Sequence, residues 1–132
     1  MPRPALIVRI VSIAAVLAGL AAGAPAQVQR AFPQAALRGT LIVTGAPEIA
    51  LNGSPARLAP GARIRDQGNM IQLSGSLTGQ RLLVHYTVDT QGLVQDVWIL
   101  TPEEAAKSPW PTTPQQARDW LFDPIAQTWS RR

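Results

Sequence analysis

Hydrophobic positions along this chain fall into three regimes. A solid apolar run extends from Ile10 to Ala22, broken only by Ser12 and Gly19. From Leu37 to Leu100, apolar and polar residues alternate in short bursts separated by Gly, Pro, Asn and Asp, the pattern of half-buried strands joined by turns. At Thr101 the grammar changes to helix starts carrying tryptophans. These regimes predict an organisation of 1–26 as a leader, 27–36 as a loose N-terminal lead without periodicity, 37–100 as a β domain, and 101–132 as a helical, Trp-rich C-terminal appendage.

Within the middle regime, Leu37 to Thr44 reads as a first strand, rich in β-branched residues. Glu48 to Leu51 meets Asn52-Gly53, a dipeptide in which both residues tolerate positive φ and which therefore predicts a type I′ hairpin. Pro55 to Leu58 returns as an edge strand, where the missing N–H of proline does no harm. Pro60-Gly61 predicts a turn before Ala62 to Arg65, and Met70 to Leu73 is extended. Arg81 to Val88 and Leu93 to Leu100 form the clearest hairpin, joined by Asp89-Thr90-Gln91-Gly92 with Asp first and Gly last. Glycines at 39, 75 and 79 mark bulges or bends that curl the sheet. Six or seven short strands at this spacing, with no βαβ crossover, predict a mainly β fold: a small antiparallel barrel or sandwich.

In the tail, Thr101-Pro102-Glu103-Glu104 combines a hydroxyl cap, proline at the first helical position and Glu at the third, a capping box, and predicts a helix over Pro102 to Lys107. Thr113-Pro114-Gln115-Gln116 repeats it toward Trp120 or Leu121. Asp123-Pro124 predicts a third helix, reaching Trp129.

The succession Arg38-Gly39-Thr40-Leu41, Leu51-Asn52-Gly53, Pro60-Gly61-Ala62-Arg63-Ile64-Arg65, Leu77-Thr78-Gly79-Gln80 and Tyr86-Thr87-Val88-Asp89, closing on Val94 to Leu100, resembles a group of small uncharacterised exported proteins of Gram-negative bacteria. Its rhythm is similar to that of the OB-like barrels of bacterial extracytoplasmic domains. The resemblance covers Leu37 to Leu100 and implies an antiparallel OB-like barrel of five to seven strands with short C-terminal helices. It rests on turn chemistry, so it implies a fold and carries no functional residues across.

The apolar run is shorter than the roughly 20 residues a bilayer-spanning helix needs. It follows Arg3 and Arg9 and exits through Ala24-Pro25-Ala26, a small-residue cleavage box. The expectation is therefore a periplasmic protein whose signal peptide is cleaved after Ala26, with no stable membrane insertion afterwards. The chain contains no cysteine, which removes disulfides, thiolate metal sites and lipid attachment to cysteine, and suits a domain that folds on its hydrophobic core. The formal charge of +4 comes from 12 basic and 8 acidic residues. Losing Arg3 and Arg9 leaves 10 against 8, or +2, with the arginines scattered, so nucleic acid is excluded as a partner.

Candidate chemistry is sparse. His85 is the single histidine. If the Asp89–Gly92 turn sets the register, it stands opposite Asp96, a pair able to hold an imidazole for general-base work. Ser74 and Ser76 are the candidate nucleophiles, with no nucleophile elbow around them. Dispersed carboxylates at Glu48, Asp66, Asp89 and Asp96 build no metal site, and Glu103-Glu104 suits a helix N-terminus. No cofactor is expected. The four tryptophans, Trp98, Trp110, Trp120 and Trp129, are the strongest anchors for a partner, although the bland reading has the tail fold back to cover Trp98. The function expected is a non-enzymatic protein- or peptide-binding or assembly module, with exposed edge strands as a second route to an envelope protein or peptide partner. The alternatives are a small hydrolase using His85 and Asp96, or an oligosaccharide-binding OB-like domain.

Overall fold

Alternation of side chains on β1, Leu37–Gly45, sends Leu37, Leu41 and Val43 inward and leaves Arg38, Thr40 and Ile42 on the opposite face. The computed structural model describes residues 29–132, and the expected leader, 1–26, lies outside the described residues. β2, Glu48–Leu51, turns back through Asn52 (φ 54°) and Gly53 (φ 83°), the two positive values that a type I′ hairpin requires. The Asn52 carboxamide also accepts the Thr40 N–H at 2.9 Å, so the turn side chain fixes β1 as well. Gly39 leaves the room this needs. A Cβ there would lie 2.9 Å from Asn52 Oδ1 and 3.0 Å from the Tyr86 ring.

β3, Ser54–Arg65, is one long strand where a turn was expected at Pro60-Gly61. The proline and the glycine (φ 77°) sit in a bulge, and the pairing with β6 jumps from Leu58↔Val94 to Arg63↔Asp96. β4, Ile71–Gln72, is short. A 3₁₀ turn over Ser74–Leu77 leads to β5, Arg81–Val88, and then β6, Val94–Ile99.

Six strands form one sheet in the order β2-β1-β5-β6-β3-β4, and a β2–β3 pairing closes five of them into a ring. β3 runs parallel to β6, so the sheet is mixed rather than antiparallel. Local turns specify neighbouring antiparallel pairs, whereas this ring is closed by strands far apart in the chain. With the bulge at Ala59–Ala62, the ring is not a regular barrel. Its interior is filled by Leu37, Leu41, Val43, Ile49, Leu58, Ile64, Val84, Tyr86, Val94 and Val97.

The tail begins as expected. Thr101 Oγ1 accepts the Glu104 N–H at 3.2 Å and Glu104 Oε1 accepts the Thr101 N–H at 2.9 Å, a complete capping box opening α1, Pro102–Ala105. Thr113 caps α2, Pro114–Asp119. The third helix does not form. Leu121–Asp123 (β7) and Thr128–Ser130 (β8) pair as a hairpin instead. The Asp123 carboxylate accepts from Ile125 N and Ala126 N, closing a turn rather than capping a helix. This geometry buries Trp129 against Phe122, with ring centroids 4.8 Å apart.

A second apolar cluster lies outside the ring: Phe32, Ala36, Leu100, Trp110 and Trp129, with Trp98, Trp120 and Phe122 at its margin. Phe32 and Ala36 belong to the stretch expected as a loose lead, and both are buried. Phe32 N donates to the buried Gln127 Oε1 at 2.8 Å, tying this segment to the final hairpin. Residues Ala31–Arg132 form one compact unit.

Candidate functional site

His85 lies opposite Trp98, and Asp96 lies opposite Thr87. The expected His85–Asp96 pair is therefore not brought together. The cause is the turn. Gly92 adopts φ 82°, Asp89 Oδ1 accepts from Gln91 N and Leu93 N, and a bulge follows at Val88↔Val94. The register is displaced by two residues, which preserves the face of each side chain and changes its neighbour. Asp96 meets Arg65 at 3.7 Å and the Thr87 hydroxyl at 3.4 Å instead.

The His85 ring is 0% exposed. Trp110 stacks on it with centroids 4.0 Å apart and planes at 22°, and Phe32 meets it edge-on at 4.5 Å. Arg38 approaches Nε2 with Nε at 3.3 Å and Nη2 at 3.2 Å. A guanidinium can only donate, so Nε2 is the acceptor and its lone pair is engaged. That arrangement suits a structural imidazole, its Nε2 engaged by Arg38.

Arg38 does more than hold His85. Its Nη1 donates to the Lys107 carbonyl at 2.9 Å and the Ala105 carbonyl at 3.3 Å, and its Nη2 donates to the Glu104 carbonyl at 2.9 Å. These are carbonyls at the C-terminal end of α1, where a helix leaves acceptors unsatisfied and a cation is favoured. Burial pulls the Arg38 pKa down, and the Glu104 charge pushes it back up. Sequence reading passed over Arg38. Its signal was its phase on β1, out of step with Leu37, Leu41 and Val43.

The tryptophans divide. Trp110 and Trp129 are buried, and Trp110 Nε1 donates to the Ala36 carbonyl at 3.0 Å. Trp98 and Trp120 are half-buried, each under a guanidinium: Arg65 lies 6.0 Å from the Trp98 ring and Arg131 lies 5.1 Å from the Trp120 ring. Phe32 covers Trp98, 5.5 Å away, as part of the second apolar cluster. Ser74 and Ser76 lie in the turn between β4 and β5, where the Ser76 hydroxyl donates to the Leu73 carbonyl. Among the described residues no group of His, Asp and Glu is arranged to hold a metal ion, and no helix is long and apolar enough to cross a membrane.

The exposed apolar surface lies elsewhere. Met70 is 67% exposed, Ile71 58% and Leu73 78%, all on or beside β4. Ile71 and Leu73 line a groove of about 400 Å³ whose apolar walls also include Pro47, Leu58, Ala59, Ala62 and Ile64. A larger cleft of about 560 Å³, between Leu37, Val88, Ala117 and Arg118, carries Val88 as its one exposed large apolar side chain. The Met70 to Leu73 surface was hard to see in sequence, because Met70, Ile71 and Leu73 do not keep to one phase of a strand.

Compared with known proteins, the chain matches no family model, no curated protein and no solved structure.

Proposed function

We propose that this chain is a non-enzymatic protein- or peptide-binding module of the Gram-negative periplasm, built on an OB-like barrel. The five-strand ring supports the OB-like reading, since that fold is a small, partly open five-stranded barrel. The leader-like sequence and the lack of cysteine support export.

One observation carries the binding reading: Ile71 and Leu73 stand exposed together at the rim of an apolar groove, with Met70 exposed next to them in the chain. Large apolar side chains gathered on a surface mark interaction sites, whereas scattered ones do not. The tail tryptophans give this reading less support than the sequence suggested, because Trp110 and Trp129 are occupied in the second cluster. The hydrolase alternative loses its pair to the register of β5 and β6. The oligosaccharide alternative needs flat exposed aromatics, and Tyr86 faces the ring interior.

Panning a displayed random-peptide library on the purified chain tests the proposal. Enriched peptides are expected to bind the parent and to lose about tenfold or more in affinity to Leu73→Asp, since removing a buried apolar contact of this size is worth about 1.5–3 kcal/mol. Leu73 is exposed, so the variant is expected to melt with the parent. A library that enriches nothing, or peptides indifferent to Leu73→Asp, would overturn the proposal.

A further inference from the structure

The edge at β4 offers main-chain groups as well as side chains. β4 pairs with β3 alone, through Ile64↔Gln72 and Arg65↔Ile71. Asp66 N donates to the Met70 carbonyl at 2.9 Å, so Met70, and by alternation Gln72, turn their main-chain groups toward β3. Ile71 and Leu73 then turn theirs away from the sheet. Leu73 is extended (φ −76°, ψ 133°), and its carbonyl is taken by Ser76 N and Oγ. What faces outward is the Ile71 N–H, the Ile71 carbonyl and the Leu73 N–H. This is a short ladder that a strand can match and a helix cannot.

Charge narrows the occupant. Ile64 is buried, so Arg63 and Arg65 project from the outer face, with Ile71 beside Arg65 and Leu73 one step on, beside Arg63. Arg65 is matched by Asp96. Arg63 is exposed and forms no ion pair among the described residues. Two acids lie on this side: Asp96, the partner of Arg63 across β6, is held by Arg65, and Asp66 is turned into its own loop, accepting from Gly68 N, Met70 N and Gln72 Nε2. The edge is therefore apolar, with Arg63 beside it as a cation that none of these acids pairs.

We infer that the occupant is an extended segment of another protein that adds to β4 as a further strand, pairing with the main chain of Ile71 and Leu73 and setting apolar residues against their side chains and a carboxylate toward Arg63. This rests on the peptide-binding reading and specifies how the peptide is held. Strand addition draws affinity from the main chain and selectivity from alternate side chains, so backbone and charge are separable in the test.

The probes are a short synthetic peptide with two valines and a glutamate at every second position, so that all three share one face, and serine between them, the same peptide N-methylated at alternate amides, and a version with lysine in place of the glutamate, each titrated into the full chain and followed by amide NMR and hydrogen exchange. The glutamate peptide is expected to slow exchange at the Ile71 and Leu73 amides. N-methylation is expected to weaken it about tenfold, the size of one or two lost hydrogen bonds. Arg63→Glu is expected to reverse the preference between the glutamate and lysine peptides while melting with the parent. If library-selected peptides bind and depend on Leu73, yet the N-methylated form binds equally and the two amides stay unprotected, strand addition is wrong and the binding reading stands. If no peptide of either charge perturbs Met70 to Leu73, both fall.

Discussion

Arg38 is the residue whose loss the tail would feel first. It meets the carbonyls of Glu104, Ala105 and Lys107 and the Nε2 of His85 from a position beside β5. Arg38→Met keeps the aliphatic bulk and takes the side-chain donor from the Ala105 and Lys107 carbonyls and from His85 Nε2, while the Glu104 carbonyl keeps the Lys107 N–H. An unsatisfied buried polar group costs about 1–3 kcal/mol, so the variant is expected to lose at least about 2 kcal/mol in denaturant titration. Arg38→Lys recovers only part of it, because a single ammonium cannot reach every acceptor of a planar fork. An unchanged midpoint for Arg38→Met would show that the clamp contributes nothing. Tyr86 supplies the pH dependence at the same scale. Burial raises its phenol above the ordinary value, so the folded chain keeps this proton to a higher pH than the unfolded chain does. Stability is expected to be intact below about pH 10 and to fall as pH rises beyond it. Tyr86 is the single tyrosine, so ultraviolet difference absorbance reads it directly, and ionisation at the ordinary phenol pKa would contradict the burial argument.

At the scale of elements, legibility followed the locality of the signal. The Asn52-Gly53 hairpin and the Thr101 capping box are complete within a few residues, and both stand where the sequence put them. The β5–β6 hairpin was legible as a hairpin, but its register was not. Gly92 in the left-handed region adds a bulge, and that two-residue displacement exchanges His85's neighbour from Asp96 to Trp98. Pro60-Gly61 carried a turn signal and became a bulge, because Leu58 and Arg63 on either side are both held by β6. Asp123-Pro124 carried a helix-start signal of the same kind. There the competing term was burial: a hairpin lets Trp129 and Gln127 reach the second cluster. The parallel β3–β6 contact and the β4 edge had no local signature. Each is a consequence of how distant strands close the ring.

At the scale of the whole molecule, the 101–132 stretch shares the second apolar cluster with residues from earlier in the chain. Its Trp110 and Trp129 bury against Phe32, Leu100 and the outer side of β5. Removing a buried tryptophan side chain typically costs about 3–5 kcal/mol, and a small domain has only about 5–15 kcal/mol in total. A chain ending after Thr101 is therefore expected to lose its cooperative thermal transition or to melt far below the parent, and to bind a hydrophobic dye through its uncovered Phe32 and Leu100. A truncated chain that melts with the parent would show the ring to be self-sufficient. Arg65, Trp98, His85 and Arg38 occupy successive strands in one line across the sheet, β3 to β6 to β5 to β1. Because Arg38 at the end of that line must reach both His85 and α1, a slip of β1 against β5 by a single position would carry it to the wrong side of the sheet and leave the tail without its anchor. The 101–132 stretch thus proofreads the alignment of β1: it can dock only on a ring whose strands hold their correct offsets.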